Sequence, residues 1–368
     1  MKKILIIGKK YIKNGTPVDG GRLKVFLYEK KLKDEGFDVT LIDLYHWFYH
    51  PLKLILRIKK GVKTNDIILT MGGPKGCRPL IKLVNRFNKK QHKRIGFCPL
   101  GIGTLDKLLK NKNSHQVEAF LKCEDFLGIK DEKMQKELSK LDFIMPQNII
   151  IFNAYKNFYK LNNLTLVNNF RDTSQTKLYV NKVKSDRIPL IYVSRITENK
   201  GIFDLLEAVK RLNSTQKKFS LDIYGEVQLD KNHLKIFQSY LNESVQYHGL
   251  VSNEKITDLY KNYSLLVFPT KYYGEGTPGT IIEALIAGLP VLISNYSQSQ
   301  LLIKDNVSGL IYDFNDIDSL INKLDYIYKN QNNLSMFAKY AYIDGSKYLY
   351  KNNRKAFLET ILGETINE

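Results

Sequence analysis

The sequence predicts an α/β protein of two domains, each with a parallel sheet doubly wound by helices. The chain has 368 residues, which is enough for two domains of ordinary size. Short apolar runs, such as residues 265–268, alternate with amphipathic stretches of helical period. Glycine-containing loops follow several of these runs. In a parallel sheet such loops gather at the carboxyl edge, where ligands bind.

Composition narrows the class of protein. Hydrophobic residues make up 43% of the chain and charged residues 26%, as in globular proteins. The cysteines, Cys77, Cys98 and Cys123, have no metal-ligand spacing, which favours a reducing compartment over a disulfide framework. The basic start is too short for a signal peptide, and no apolar run approaches the roughly 20 residues that span a bilayer. We therefore expect a cytoplasmic protein.

The formal net charge of +20 is unevenly placed along the chain. Between His50 and Arg94 there are thirteen lysines and arginines against one acid, Asp66. Such a charge distribution favours a polyanionic partner, either a membrane surface or a nucleic acid.

The first half reads as strands and helices in alternation. The predicted elements are a strand at 3–8, a helix at 23–32, strands at 38–44 and 66–71, a loop at 72–76, a helix at 80–88, strands at 94–98 and 141–146, a helix at 148–161 and a strand at 164–167. We expect this domain to cover residues 1–172. The polar residues 173–187 are the predicted linker.

A further helix is predicted to begin at Pro51, after an aromatic run that contains the only tryptophan. Its basic and apolar side chains fall on different faces, Lys53, Arg57 and Lys60 on one and Leu52, Ile55 and Leu56 on the other. This composition is typical of a helix that lies on an anionic membrane. The alternative is a helix that packs on the core with a solvated basic edge.

The second domain is predicted to cover residues 188–335, with a helical tail at 336–368. Its predicted elements are a strand from 188, a helix at 202–212, strands at 220–224 and 245–251, a helix at 253–260, strands at 265–268, 291–293 and 308–312, and helices at 316–329 and about 334–362.

Residues 265–294 organise this domain as strand, glycine-rich loop, helix and strand. Thr277 is the expected N-cap and Pro278 the first helical residue, while Gly288 ends the helix. The helix start suits an anion such as phosphate, and the carboxylates of Glu275 and Glu283 suit sugar hydroxyls. Together these groups predict a nucleotide-sugar site. The alternative is an ordinary βαβ unit with two solvated glutamates.

Two motifs resemble a known family. Glu275 and Glu283, with seven residues between them and followed by Ala-Leu-Ile-Ala-Gly-Leu-Pro-Val, resemble the donor-site signature of retaining glycosyltransferases of family 4, the glycosyl transferases group 1. Arg195, Lys200 and Gly201 resemble the family's Arg…Lys-Gly motif, although a serine stands where the family has glycine before the arginine. The resemblance implies the GT-B fold, with two Rossmann-like domains facing across a cleft and the last helix crossing back to the first domain.

The resemblance also implies roles for single residues. Arg195 and Lys200 would hold the donor diphosphate and stabilise the leaving group, although a surface salt-bridge pair is the alternative. Glu275 would hold sugar hydroxyls and Glu283 ribose hydroxyls. The other implied donor contacts are Gly276, Thr277, Pro278, Gly279, Thr280 and Val251. Gly20 and Gly21 would approach the donor phosphate and the acceptor, or form a plain turn.

The chain departs from the family pattern at two places. Residues 99–104 stand where many members carry a histidine, and we assign no role to the nearby His92 and His115. Asn169 replaces a glycine in the turn at 168–172. We expect it to tolerate the left-handed region, as asparagine does better than most residues.

The expected function is retaining transfer of a sugar from a UDP- or GDP-linked donor to a hydroxyl of a saccharide acceptor. We expect a lipid-linked acceptor in bacterial surface polysaccharide biosynthesis, such as capsule or O-antigen, and a peripheral position on the anionic inner face of the plasma membrane. No cofactor and no metal are expected, because no Asp-x-Asp lies in a suitable loop. The alternatives are a silent GT-B subunit that regulates a partner glycosyltransferase and a nucleic-acid-binding protein, for which no binding motif is recognisable.

Overall fold

The computed structural model describes residues 1–10, 12–13, 16–17, 20–45, 50–100, 131–173, 187–252, 255–273 and 275–366. The chain forms two compact units. Unit 1 comprises Met1–Asp172 and Tyr350–Glu368, and unit 2 comprises Thr173–Leu349. Apart from its two end residues, the predicted linker at 173–187 lies outside the described residues.

Unit 1 is built on a five-stranded sheet whose strand pairs are all parallel. In sheet order the strands are β4 (Asp38–Asp43), β1 (Lys3–Gly8), β5 (Ile67–Gly72), β6 (Arg94–Pro99) and β7 (Phe143–Ile144). A short antiparallel pair follows β1 along the chain, β2 (Ile12–Lys13) and β3 (Thr16–Pro17). The helices described before residue 172 are α1 (Gly20–Asp34), α2 (Pro51–Thr64), α3 (Pro74–Asn88), α4 (Glu132–Leu138) and α5 (Ile149–Phe158).

Unit 2 is built on a six-stranded sheet, also parallel throughout. In sheet order the strands are β10 (Val245–Tyr247), β9 (Phe219–Tyr224), β8 (Ile188–Val193), β11 (Leu265–Phe268), β12 (Val291–Ser294) and β13 (Gly309–Tyr312). Its helices are α6 (Ile202–Leu212), α7 (Lys231–Ser239), α8 (Ile256–Tyr260), α9 (Gly279–Ala287), α10 (Ser299–Leu302), α11 (Ile317–Lys329) and α12 (Asn333–Gly345). Every residue of β11 and β12 is buried, as expected for strands covered on both faces.

The last helix, α13 (Tyr350–Leu362), is part of the core of unit 1. Phe357 is fully buried, and its ring lies 4.7 Å from that of Tyr28 and 5.3 Å from that of Phe170. Arg354 donates two hydrogen bonds to the Glu35 carboxylate, at 2.8 and 2.7 Å. These contacts give the end of the chain a fixed place in unit 1.

The prediction of one helical tail at 336–368 that returns to the first domain was wrong for its first part. The helix is interrupted by a 3₁₀ turn at Ser346–Tyr348, and residues 336–349 stay with unit 2. The reason is close packing of α12 on α9. A Cβ on Gly345 would lie 2.4 Å from the carbonyl oxygen of Leu285.

Several other element boundaries differ from the predictions. The strand expected at 164–167 is reduced to a single bridge between Leu164 and Ile144. The loop expected at 72–76 already contains the start of α3, because Pro74 suits a first helical turn. The helix expected from residue 253 begins at Ile256. The aromatic run at 46–49, residues 101–130 with His115, and Gly274 lie outside the described residues.

Asn169 does not adopt the left-handed conformation. The described non-glycine residues with positive φ do not include it. Asn169 is buried, and its side-chain oxygen accepts a hydrogen bond from Arg171 Nη1 at 3.3 Å. The asparagine thus has a polar contact, and it does not act as a substitute for glycine.

Candidate functional site

The sheet topology of unit 2 predicts where a ligand binds. Numbered along the chain, the strands of this sheet lie side by side in the order 3-2-1-4-5-6, so the direction of strand addition reverses between β8 and β11. Ligands of such sheets bind beyond the carboxyl ends of the strands at this switch point. We call the segment after β8, residues 194–201, the cation loop, and the segment after β11, residues 269–278, the acidic loop. Both therefore lie at the predicted position.

The two loops are in backbone contact. Gly201 has φ of +70°, and a Cβ at this position would lie 1.7 Å from the carbonyl oxygen of Pro269, so only glycine fits. The N–H of Lys271 donates to the carbonyl of Asn199 at 2.9 Å. The Thr270 hydroxyl donates to the same carbonyl at 3.4 Å. The loops therefore position each other.

Lys200 and Glu275 meet at this contact. The ammonium Nζ of Lys200 is hydrogen-bonded to Oε2 of Glu275, and the Thr270 hydroxyl lies 3.4 Å from the same oxygen. The side chains of Lys200 and Glu275 are only 11% and 16% exposed. The family resemblance selected both residues but did not predict that they pair with each other. The pair places one cation and one hydroxyl acceptor next to each other, largely shielded from water.

Arg195 lies two residues beyond β8 with an exposed side chain. Its carbonyl accepts a hydrogen bond from the buried Tyr192 hydroxyl at 3.1 Å. Burial raises the pKa of Tyr192. A hydrogen bond with Ser194 and the charge of Arg195 oppose this rise in pKa, while the charge of Glu275 adds to it. Arg195 and Glu275 therefore act on the same hydroxyl. Within the described part of the chain, the guanidinium has no ion-pair partner.

Helix α9 follows the acidic loop and differs from the prediction by one residue. It begins at Gly279, with Pro278 in the cap position and no side-chain cap, so the expected Thr277 N-cap was wrong. Gly288 ends the helix in the left-handed conformation, as predicted.

The predicted donor contacts around the start of α9 differ in exposure. Glu283 lies in the second turn and is buried, whereas Thr280 is half-buried in the first turn. Gly276, between Glu275 and the buried Thr277, is also half-buried. The loop and the first helical turn are therefore the accessible part of this set.

The turn after β10 connects to the cation loop through Gly225. The N–H of Gly225 donates to the carbonyl of Gly249 at 2.8 Å, two residues before the half-buried Val251. A Cβ on Gly225 would lie 1.7 Å from the carbonyl oxygen of Ser194. Sequence reasoning missed Gly225, although a glycine directly after a strand was the available signal.

Gly20 and Gly21 lie in unit 1, where they form the first turn of α1. The direction of strand addition in this sheet reverses between β1 and β5, so the α1 start follows the strand that borders a switch point. The pair therefore opens a helix and does not form a plain turn. Gly20 and Gly21 belong to unit 1, whereas Arg195, Lys200, Glu275 and Glu283 belong to unit 2.

Three hydroxyl side chains that follow the acidic loop along the chain also contact it. They belong to Ser294, Tyr296 and Ser297, and each donates to a carbonyl of the acidic loop. We call residues 294–297 the support segment. No motif marks these residues, and sequence reasoning missed all of them, because the contacts are set by the fold and not by local spacing.

One grouping in the described residues has side chains of metal-ligating types. Potential ligand atoms of Glu198, Asp230 and His233 lie within 4.8 Å of one another. His233 Nδ1 is 2.7 Å from Asp230, and Nε2 is 3.1 Å from Glu198. The hydrogen bond with Asp230 raises the pKa of His233, and the charges of both acids add to this effect. Both ring nitrogens are thus engaged in ion pairing, and we assign no metal role.

None of the described helices is long and apolar enough to cross a bilayer.

Comparison with known proteins places these features in context. The model of the family described as Glycosyl transferases group 1 matches residues 175–344. Over 145 residues, the chain is 30% identical to the UDP-Gal:alpha-D-GlcNAc-diphosphoundecaprenol alpha-1,3-galactosyltransferase of Escherichia coli, covering 39% of this chain and 37% of that protein. It is 25% identical over 145 residues to an uncharacterized 41.2 kDa protein in the cps region of Klebsiella pneumoniae, with 39% and 38% covered. The chain spans about two fifths of the length of these curated relatives.

Solved structures match nearly the whole chain. The structure of Anabaena HepE in complex with UDP has a TM-score of 0.71 at 11% identity, with 99% of this chain and 100% of that chain covered. The apo form of the lipopolysaccharide outer core galactosyltransferase WaaB has a TM-score of 0.67 at 16% identity, with 98% and 99% covered. This likeness shows that the chain has the GT-B fold, as predicted.

Proposed function

We propose that this chain belongs to the glycosyl transferases group 1 family, whose model matches residues 175–344, and that it transfers a sugar from a nucleoside-diphosphate sugar to a hydroxyl of an acceptor, with retention at the anomeric carbon. The observation that carries the proposal is the Lys200–Glu275 pair. The bond to be broken joins a sugar to a diphosphate, so the site must hold a hydroxyl-bearing ring directly beside an anion. One carboxylate in contact with one ammonium meets this demand.

The proposed chemistry assigns each group a separate task. Lys200 and Arg195 stabilise the negative charge that grows on the diphosphate as the sugar–phosphate bond breaks. Glu275 accepts hydrogen bonds from sugar hydroxyls and Glu283 from ribose hydroxyls, while the turn at Val251 faces the base. Because Lys200 and Glu275 contact each other in the described structure, the donor would separate them and replace their mutual ion pair.

In the proposed transfer step, all bonds and protons are accounted for without a cofactor. The acceptor oxygen attacks the anomeric carbon on the face from which the diphosphate departs. One C–O bond breaks and one forms, and the acceptor proton moves to a phosphate oxygen of the leaving group. We propose that no metal takes part, since the cations of Arg195 and Lys200 supply the charge that a metal would otherwise supply.

The names of the relatives support a more specific acceptor. The galactosyltransferase of E. coli acts on a sugar linked to diphosphoundecaprenol, as its name states. The Staphylococcus aureus relative CapM is named for capsular polysaccharide biosynthesis. We propose a lipid-linked saccharide acceptor in bacterial surface polysaccharide biosynthesis and, because HepE binds UDP-glucose, a UDP-linked donor first and a GDP-linked donor second.

A surface of unit 1 supports a membrane location for this acceptor. We call it the basic surface. It consists of exposed cations on α2, α3 and the following turn, namely Lys53, Arg57, Lys59, Lys60, Lys63, Arg78, Lys82, Arg86, Lys89 and Lys90. None of them has an ion-pair partner in the described part of the chain. Each cation near an anionic bilayer contributes about 1 kcal/mol to binding.

Helix α2 combines both alternatives that the sequence left open. Leu54, Ile58 and Val62 are buried in unit 1, so the helix packs on the core. Leu52 and Leu56 are 77% and 66% exposed beside the cations. Exposed leucines flanked by lysines suit the boundary between headgroups and acyl chains. We propose that the basic surface binds the anionic inner face of the plasma membrane, where a lipid-linked acceptor resides.

The proposed function can be tested with the purified chain alone. A thermal-shift screen against UDP-glucose, UDP-galactose, UDP-N-acetylglucosamine and GDP-mannose should select the donor. Donor hydrolysis, and transfer to an undecaprenyl-diphosphate saccharide, should then exceed that of a Lys200→Ala variant, and NMR should show a retained anomeric configuration. A chelator should leave the rate unchanged. No turnover by the wild-type chain itself would favour a silent subunit that regulates a partner enzyme.

A further inference from the structure

The support segment holds the acidic loop by three hydrogen bonds. The Ser294 hydroxyl donates to the carbonyl of Thr270 at 2.7 Å, and the Ser297 hydroxyl donates to that of Tyr273 at 2.8 Å. The Tyr296 hydroxyl donates to the carbonyl of Gly276 at 3.3 Å. The described part of the acidic loop contains no helix or strand, so side chains supply contacts that a sheet ladder would otherwise provide.

The support segment is itself firmly placed. It begins at the end of β12, and the N–H of Asn295 donates to the carbonyl of Tyr312 on β13 at 2.8 Å. The Ser299 hydroxyl and N–H both donate to the carbonyl of Tyr296. Ser294 and Ser299 are fully buried, and Tyr296 is almost so. Two of the three donors, Ser294 and Tyr296, are therefore buried, while Ser297 is half-buried.

Holding a carbonyl also fixes the direction of the next N–H. In a trans peptide the C=O and the following N–H point in opposite directions. The Thr270–Lys271 peptide shows the effect, because its carbonyl faces Ser294 while its N–H donates to the carbonyl of Asn199 in the cation loop. The same geometry at Gly276 turns the N–H of Thr277 away from Tyr296.

We infer that Tyr296, assisted by Ser294 and Ser297, is a positioning residue that orients the peptides of the acidic loop for the sugar part of the donor. The inference rests on the proposed function and deepens it. Tyr296 fixes the Gly276–Thr277 peptide, which directly follows Glu275 along the chain. Its hydroxyl stays a donor across the working range, since burial raises its pKa and the charge of Glu275 raises it further.

The effect should be specific for the sugar. The diphosphate is proposed to bind Arg195 and Lys200, which the support segment does not contact directly. Removal of the Tyr296 hydroxyl should therefore weaken binding of a nucleotide sugar while leaving the sugar-free nucleoside diphosphate nearly unaffected. A residue that only stabilises unit 2 would change both affinities together.

The test compares Tyr296→Phe, Ser297→Ala and wild type by calorimetric titration with UDP-glucose and with UDP, or with whichever donor of the thermal-shift panel binds best and its nucleoside diphosphate. Loss of one hydrogen bond should raise the Kd of Tyr296→Phe for the nucleotide sugar about three- to tenfold, with the Kd for the diphosphate within about twofold. Ser297→Ala should show a smaller effect in the same direction. Tyr240→Phe is the matched control, because its hydroxyl donates to Glu207 at 3.0 Å, away from the acidic loop.

Each outcome decides the inference. A sugar-specific loss in Tyr296→Phe, with the control unchanged, supports it. An equal loss for both ligands, or no change for either, overturns it while the proposed function stands. If wild type binds no nucleotide sugar of the panel, the proposed function fails and the inference fails with it.

Discussion

In the acidic and cation loops of unit 2, polar groups are paired with each other, as in the Lys200–Glu275 pair and the contacts of Thr270. On the basic surface of unit 1, cations such as Lys53 and Lys82 stand exposed, without an ion-pair partner among the described residues. The proposed donor site depends on distances of a few ångströms, whereas the proposed membrane contact of the basic surface depends on summed charge, whose field falls off over about 8–10 Å in salt. The function of the loops should therefore be lost with a single substitution, and that of the basic surface only by degrees.

The largest effect is expected at the Lys200–Glu275 pair. Lys200→Ala or Glu275→Ala should reduce transfer about 10²- to 10³-fold, the range for loss of one group that stabilises developing charge. Each change also leaves the other, mostly buried charge without its partner. Steady-state rates with a saturating donor measure the loss, with circular dichroism to show that the fold is kept.

Lys235→Ala is the matched control, because this lysine is exposed on α7. Its rate should equal that of wild type. A wild-type rate in both Lys200→Ala and Glu275→Ala would refute the site assignment and remove the contrast with unit 1.

The basic surface should respond more gradually. Replacing Lys53, Arg57 and Lys60 together with alanine should weaken binding to anionic vesicles about 10- to 100-fold, because each cation contributes up to about 1 kcal/mol. Hydrolysis of a soluble donor should not change. Flotation with vesicles of phosphatidylglycerol and phosphatidylcholine, and of phosphatidylcholine alone, gives the measurement.

A variant in which one cation is moved along the basic surface tests the same contrast between the two regions. Lys53→Ala combined with Thr64→Lys keeps the net charge and moves one cation along α2 to another exposed position. It should bind anionic vesicles as wild type does. The charge of Lys200, in contrast, could not be moved to another position without loss of transfer. Equal recovery of wild type on neutral and anionic vesicles would remove the membrane proposal.

The contrast also explains how much the sequence could predict. The family resemblance selected Arg195 and Lys200, and chemistry and spacing together with that resemblance selected Glu275 and Glu283. The bounds of α6 agree with the predicted 202–212, because strand, loop and helix signals are local. The contact of Tyr296 with Gly276 was not predictable, since the two residues are distant along the chain and meet only through the fold.

Helix α2 shows the same limit in unit 1. The sequence did not show that α2 buries Leu54 and exposes Leu52, because apolar residues lie on several faces of this helix. Which of them face the core depends on how the helix packs against the sheet, and local periodicity does not determine that.

A smaller effect is expected where α13 joins unit 1. Arg354→Met removes two hydrogen bonds to Glu35, and the Arg354 side chain is 42% exposed, so the loss should be only about 1 kcal/mol, or about 2–4 °C in Tm. Arg354 lowers the pKa of Glu35. The contribution is therefore present above the ordinary pKa of Glu35 and is lost as the pH falls through its lowered value. Thermal unfolding of both proteins should differ near neutral pH and converge in acid, while donor binding stays unchanged.

The smallest effect is expected at His233, which joins Asp230 to Glu198 of the cation loop. Its pKa is raised, chiefly by the hydrogen bond with Asp230, so the ion pair contributes below the ordinary value of 6.5 and is lost as the pH rises through the raised value. His233→Gln should therefore raise the donor KM less than about twofold, and only on the acidic side. Because the side chains of Glu198 and Asp230 are 60% and 63% exposed and that of His233 36%, solvent screens the ion pairs. KM measured at about pH 6 and about pH 9 for wild type and variant tests this, and a difference that persists at the higher pH would mean that His233 positions the loop by packing and not by charge.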